Sequence, residues 1–218
     1  MSTQDARGPV PAATLSDQPL RLLRATELAW AWHGHQTRKG RVTSYMSHLL
    51  QVQGLVIGAG GGPDAAVAAL LHDALEDAES PAERAARERA IGGEFGPDVL
   101  RIVLDLTDTT PDEAGASKGP WRVRKERYLE QLRGAGLTSR LVAACDKRQN
   151  LGDLVTDLRV EGPATLERFN AGAAEQVWYF RSMETICRPA IPAELASDMG
   201  SLLAELEQLV APQASGNR

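Results

Sequence analysis

The segment Ala65-Ala-Val-Ala-Ala-Leu-Leu71 is apolar on every side of a helix, and it runs straight into His72-Asp73-Ala-Leu-Glu76-Asp77. A helix with no polar face has to be buried all round, so other elements must enclose it. No other stretch constrains the fold as strongly, because the chain must supply a shell of partners around residues 65–71. The same stretch sets a problem. An imidazole and a set of carboxylates at the end of a buried helix are costly unless a cation compensates them. A bound metal ion is one way to do so. At helical spacing Glu76 lies one turn beyond His72 and Asp77 one turn beyond Asp73, so all four are expected on one broad face.

The enclosing shell reads as helical almost throughout. Ser16 or Asp17 can cap a first helix that carries Leu20, Leu23, Leu28 and Trp32. Ser44 can start a second, with Tyr45, His48, Leu49, Val52 and Val56 at helical steps. Gly58-Ala-Gly-Gly-Gly62 breaks the chain, and Pro63 opens the apolar helix. Ser80-Pro81-Ala82-Glu83 is a capping-box pattern, followed by a stop at Gly92-Gly93 or Phe95-Gly96 and a restart at Pro97. A polar loop is expected over 111–120, then helices over 121–133, 138–158, 164–187 and 193–210. No period-two alternation or internal repeat interrupts them. The expected fold class is all-α, a helical bundle, with a single domain over 16–211 between loose ends at 1–15 and 212–218.

Bulk properties exclude several classes. With 218 residues, 43% hydrophobic and 24% charged, the chain can bury a real core but has no apolar run long enough to span a bilayer. The opening Met1-Ser-Thr-Gln-Asp lacks the basic start and apolar centre of a secretory signal. A net charge of −5 argues against a general nucleic-acid surface, while leaving room for a local basic pocket. The two cysteines, Cys145 and Cys187, sit in apolar helical patterns without metal-knuckle spacing. They fit a reducing cytoplasm, with one disulfide left open.

Only four histidines occur, at 33, 35, 48 and 72. Asp146 again interrupts an apolar helix, Leu141-Val-Ala-Ala-Cys-Asp146, with Asn150 one turn further on. His33, His72, Asp73 and Asp146 therefore form a candidate ligand set from separated helices. Mixed nitrogen and oxygen donors without thiolate favour a six-coordinate ion such as Mn²⁺ over structural zinc. Each piece alone has a plainer explanation. His33 could be an ordinary partly buried histidine, Asp146 could pair with Lys147 or Arg140, and Glu76-Asp77 could be a solvated helix end.

The order of the pieces resembles the hydrolase domain of the RelA/SpoT alarmone enzymes, a branch of the HD phosphohydrolase superfamily. The matching stretches are His33-Gly-His-Gln36-Thr-Arg38-Lys39, Ser44-Tyr45-Met-Ser-His48, Ala68-Ala-Leu-Leu-His72-Asp73-Ala-Leu-Glu76-Asp77, Phe95-Gly96 with Val103-Leu-Asp-Leu-Thr107, and Cys145-Asp146-Lys147-Arg-Gln-Asn150-Leu151. The resemblance implies an HD-domain bundle in which His33, His72, Asp73 and Asp146 hold one Mn²⁺. It implies that Glu76 and Asp77 position or deprotonate the attacking water, and that Asn150 contacts the nucleotide or orients the site. It places Arg24 against the guanine and has Tyr45 and His48 shape the pocket. The implied reaction is hydrolysis of ppGpp or pppGpp to GDP or GTP and pyrophosphate. Arg38 and Lys39 follow His33 closely and suit phosphate oxygens. Lys118, Arg122, Arg124, Lys125 and Arg127 form a second basic cluster that could equally be a solvated helix face.

There are departures from the pattern. Relatives usually read Gly-x-Pro-Tyr-x-x-His-Pro where this chain has Thr43-Ser44-Tyr45-Met-Ser-His48-Leu49, without either proline. The mouth of the pocket, and with it substrate preference, is expected to differ. With no room after this stretch for synthetase or regulatory domains, a stand-alone small alarmone hydrolase is the expectation. Two further readings stay open: hydrolysis of another phosphorylated nucleotide, such as an adenosine alarmone or NADPH, and a non-catalytic alarmone-binding protein.

Overall fold

Pro63 at the first helical position and the open glycine run before it start a helix, α3 (Pro63–Leu71), whose residues from Ala65 to Leu71 are all buried. In the computed structural model, which describes residues 12–115 and 119–211 and side chains from Gln18 onward, this helix is the hub. It packs against α1 (Ala12–His33), α2 (Met46–Gly58), α5 (Pro97–Leu106) and α7 (Leu137–Glu161). Full burial of Leu70, Leu71 and the following Leu75 stabilises the hub by roughly 1.5–3 kcal/mol per side chain. The remaining helices are α4 (Pro81–Phe95), α6 (Trp121–Gly134), α8 (Ala173–Cys187) and α9 (Ala193–Val210). A second apolar cluster joins the end of α7 to α8 and α9 through Leu154, Leu158, Phe180, Leu203 and Leu206. Among the described residues the extended backbone amounts to one isolated bridge, Thr37 to Ser44. The fold is all-α, as the helical periods require.

The expected boundaries need several corrections. The first helix already runs from Ala12, so Ser16 and Asp17 lie within it rather than capping it, as do residues 12–15 of the expected loose end. Residues 1–11 and 212–218 lie outside the described residues. The second helix begins at Met46, because the Ser44 hydroxyl accepts the Met46 amide and the chain before it is tied back to Gln36. The stretch 164–187 is not continuous: a 3-10 segment, Gly162–Arg168, precedes α8, with Gly162 at φ +73 ending α7. The Ser80 cap is present, its hydroxyl accepting the Glu83 amide at 3.2 Å while the Glu83 carboxylate reaches back to the Glu79 amide.

The greatest consequence lies after Leu71. The helix does not continue through Asp77; residues 72–77 form a chain of turns. His72 Nδ1 donates to the Ala69 carbonyl at 2.9 Å, and the Ala74 amide reaches Leu71 rather than Leu70, so the ladder tightens from four-residue to three-residue steps. The ladder returns to a four-residue step where the Asp77 amide meets the Asp73 carbonyl at 3.0 Å. Just past this segment the chain meets a close neighbour. Gly115, at φ +70, lies so close that a Cβ there would fall 1.9 Å from the Glu79 carbonyl oxygen.

Candidate metal centre

Three elements bring polar side chains to the end of α3. His48 comes from the buried face of α2, His72 and Asp73 from the turn after α3, and Asp146 from the middle of α7. His48 Nε2 lies 3.3 Å from His72 Nε2 and 3.3 Å from Asp146 Oδ1. Asp73 Oδ2 lies 3.0 Å from His72 Nε2 and 3.6 Å from His48 Nε2. His48, His72 and Asp146 are almost fully buried, and each offers a ligand atom within 4.8 Å of the others. Burial alone would push the His48 and His72 imidazoles down, but Asp73 and Asp146 overcome it and hold both above their ordinary value, His72 strongly. The same pairing keeps both carboxyls well below the usual range against their own burial, with Lys147 the strongest partner of Asp146.

The donor set fits a divalent cation. Each imidazole uses Nδ1 outward, His48 toward Gln149 Oε1 at 2.6 Å and His72 toward Ala69 at 2.9 Å. Their neutral forms therefore aim lone pairs at each other across 3.3 Å, between two carboxylates. Such an arrangement repels itself unless a proton or a cation lies between, and two carboxylates balance a divalent ion. The carboxylates are themselves oriented: the Tyr45 hydroxyl donates to Asp73 at 2.5 Å, Asn150 donates to Asp146 Oδ1 at 2.6 Å, and the Lys147 ammonium pairs with the other oxygen of Asp146.

An HD domain profile matches residues 25–176, a span that holds every residue of this cluster. The chain belongs to the HD-domain family. No curated protein matches the sequence. Among solved structures, a metazoan SpoT ortholog described as hydrolysing ppGpp aligns with a TM-score of 0.65 at 22% identity, covering 91% of this chain and 98% of its own. A protein of Listeria monocytogenes EGD-e aligns with a TM-score of 0.60 at 25% identity, covering 74% of this chain and 99% of its own.

The HD-domain cluster differs from the expected ligand set at one position. His72, Asp73 and Asp146 meet as expected, but the imidazole that joins them is His48, not His33. His33 is fully buried beside them, with Nδ1 2.8 Å from Gln36 Oε1 and 3.7 Å from Asp77 Oδ2. Among the described residues its Nε2 has no hydrogen-bond partner. A sequence signal for His48 existed: it shares the buried stripe of its helix with Leu49, Val52 and Val56, where a histidine needs a polar purpose. Glu76 and Asp77 flank the cluster as half-buried carboxylates.

The other expected residues divide. Arg24 is not brought to the HD-domain site; it is exposed on α1 and paired with Glu27 and Glu94, each at 2.5 Å. The first helix carries it about two and a half turns from His33, which explains why helical patterning could not place it. Arg38 reaches inward instead, donating to Asn150 at 2.8 Å and Asp153 at 3.1 Å, with its guanidinium 5.6 Å from the Tyr45 ring centre. Lys39 lies further out, 5.7 Å from the Phe169 ring, and lines a cleft of about 550 Å³ with Gln36, Tyr45 and Asp77. The loop carrying Arg38 and Lys39 holds its shape without prolines, through Arg38 N to Thr43 O at 2.8 Å and Tyr45 N to Gln36 O at 3.0 Å. Gly40, at φ +72, makes the bend.

The second basic cluster is of mixed character. Lys118 lies outside the described residues. Arg122 is outward, on Glu126 and Glu175 and over the Trp178 ring. Arg124 and Lys125 both bind the buried Asp108, and Arg127 takes the Asp108 carbonyl and Glu113. Lys125 and Lys147 then face a cavity of about 190 Å³ beside Asn150, walled by Trp121 and Tyr179. Both cysteines are free and buried, and burial pushes their thiols up to about 12.

Proposed function

We propose that this HD domain is a metal-dependent phosphohydrolase of guanosine polyphosphate alarmones, splitting ppGpp or pppGpp into GDP or GTP and pyrophosphate. The observation that carries the reading is the convergence of His48, His72, Asp73 and Asp146 on one buried point bordered by cationic side chains. These four would hold one divalent ion, for which Mn²⁺ suits the nitrogen and oxygen donors. When bound, such an ion acidifies a water and neutralises charge on a phosphoryl oxygen. Glu76 and Asp77, next to the ligands, accept the water's proton and return it to the departing ribose 3′-oxygen as the phosphorus–oxygen bond breaks. Arg38, Lys39, Lys125 and Lys147 offer cations to a substrate rich in phosphates, Arg38 by its planar fork. Tyr45 and Asn150 orient Asp73 and Asp146, and Asn150 also spans to Arg38. The metazoan SpoT ortholog of similar fold, which hydrolyses ppGpp, supports the substrate class.

Purified protein loaded with Mn²⁺ is expected to turn ppGpp into GDP and pyrophosphate. The absence of turnover in a metal-loaded preparation would overturn the reading. Initial rates on ppGpp beside an adenosine alarmone and NADPH test the nucleotide, because the changed loop before His48 shapes the cleft that meets it. Tight ppGpp binding by calorimetry without cleavage would favour a binding protein.

A further inference from the structure

We propose that Gln149 is a positioning residue for the metal centre, its carboxamide oxygen holding the Nδ1–H of His48 so that Nε2 faces the ion. The inference rests on the metal reading above and adds a residue that neither composition nor motif singled out. Gln149 is buried at 4% exposure on α7, three residues past Asp146, and its Oε1 lies 2.6 Å from His48 Nδ1.

The direction of that bond is set by a chain of neighbours. Gln51 Nε2 donates to the Ser47 carbonyl at 2.9 Å, which leaves Gln51 Oε1 as an acceptor. Gln149 Nε2 points to that oxygen at 3.5 Å, and Arg38, which can only donate, approaches Gln149 Oε1 at 3.4 Å. Both ends of the amide are thereby assigned. With Oε1 accepting, His48 must carry its proton on Nδ1, and its Nε2 is left as the lone pair 3.3 Å from Asp146 and 3.6 Å from Asp73. The reversed tautomer would set two acceptors against each other at Gln149 and a proton among the ligand atoms. His72 is fixed in the same sense by a backbone carbonyl, which no substitution removes. His48 depends on a side chain, so its presentation can be changed by mutation. Partners of this kind govern metal affinity by about 10–100-fold.

The test is calorimetric titration of the apo protein with Mn²⁺ alone, on wild type, Gln149→Leu and Gln149→Glu. Leucine keeps the packing volume but accepts no hydrogen bond; glutamate keeps an acceptor in place. Gln149→Leu is expected to raise Kd tenfold or more, with an apo melting temperature close to wild type, and Gln149→Glu to bind within about threefold of wild type. In the Zn²⁺-loaded proteins, a His48 Nδ1–H proton protected from solvent exchange should appear in ¹H–¹⁵N spectra of wild type and Gln149→Glu and be lost in Gln149→Leu. Equal Kd values and an unchanged proton signal in Gln149→Leu would overturn the inference while leaving the metal centre standing. No binding by the wild type would overturn the metal reading itself, and this inference with it.

Discussion

Asp108 is held by charge inside the protein. Burial alone would raise its carboxyl, but the Lys125 ammonium and the Arg124 guanidinium beside it bring it down to about 2. Its folded value lies below its ordinary value of 3.8, so the ionised form stabilises the fold above that pH. That contribution, roughly 2 kcal/mol, should vanish as pH falls from about 4 toward 2, and urea titrations across that window should follow it in wild type but not in Asp108→Asn. Asp108→Ala strands the buried Arg124 and should cost about 3–5 kcal/mol in denaturant unfolding. At the metal centre, Asp73→Ala, Asp146→Ala and His48→Ala should each abolish Mn²⁺ binding in calorimetry while circular dichroism stays helical. His33→Ala should retain binding, which separates the two histidines directly. Residue types and spacing were enough to name His72, Asp73 and Asp146 as candidates that the fold brings together, because each interrupts an apolar run. Spacing to the other candidates does not separate His33 from His48; the signal for His48 lies in its place on the buried stripe of α2, and which imidazole arrives depends on how α1 and α2 cross α3.

Among the elements, the link that leads from the turns after α3 into α4 is crowded by a neighbour far along the chain. Gly115 closes against the Glu79 carbonyl with no room for a side chain, and its φ of +70 suits glycine. Gly115→Ala should therefore destabilise the protein by about 2 kcal/mol or more in thermal unfolding, while a control at Gly134, where a Cβ meets nothing, should change little. Helix positions were legible from apolar periods and from Pro63, Ser80 and Pro97, whose local chemistry works without tertiary contact. Ends were less so. The stop at Leu71 comes from a histidine side chain bonding a carbonyl of the last turn, and the break before α8 comes from Gly162 and the 3-10 segment it starts. Helical period carries no trace of either.

For the whole molecule, the cluster joins α2, the turn after α3, and α7, so an ion held there would tie together helices that the chain order keeps apart. Mn²⁺ at roughly 100 times its Kd should add about 2.7 kcal/mol to unfolding stability, reversed by a chelator, and a thermal shift that is absent in Asp146→Ala would check it. The burial of α3 by α1, α2, α5 and α7 has a consequence for how the molecule breathes. Backbone amides of Val67 to Leu71 cannot meet solvent unless those partners separate together, so their deuterium exchange should proceed only through complete unfolding. These amides then become an internal gauge of global stability, and Mn²⁺ should slow their exchange by the same factor by which it raises the folding equilibrium.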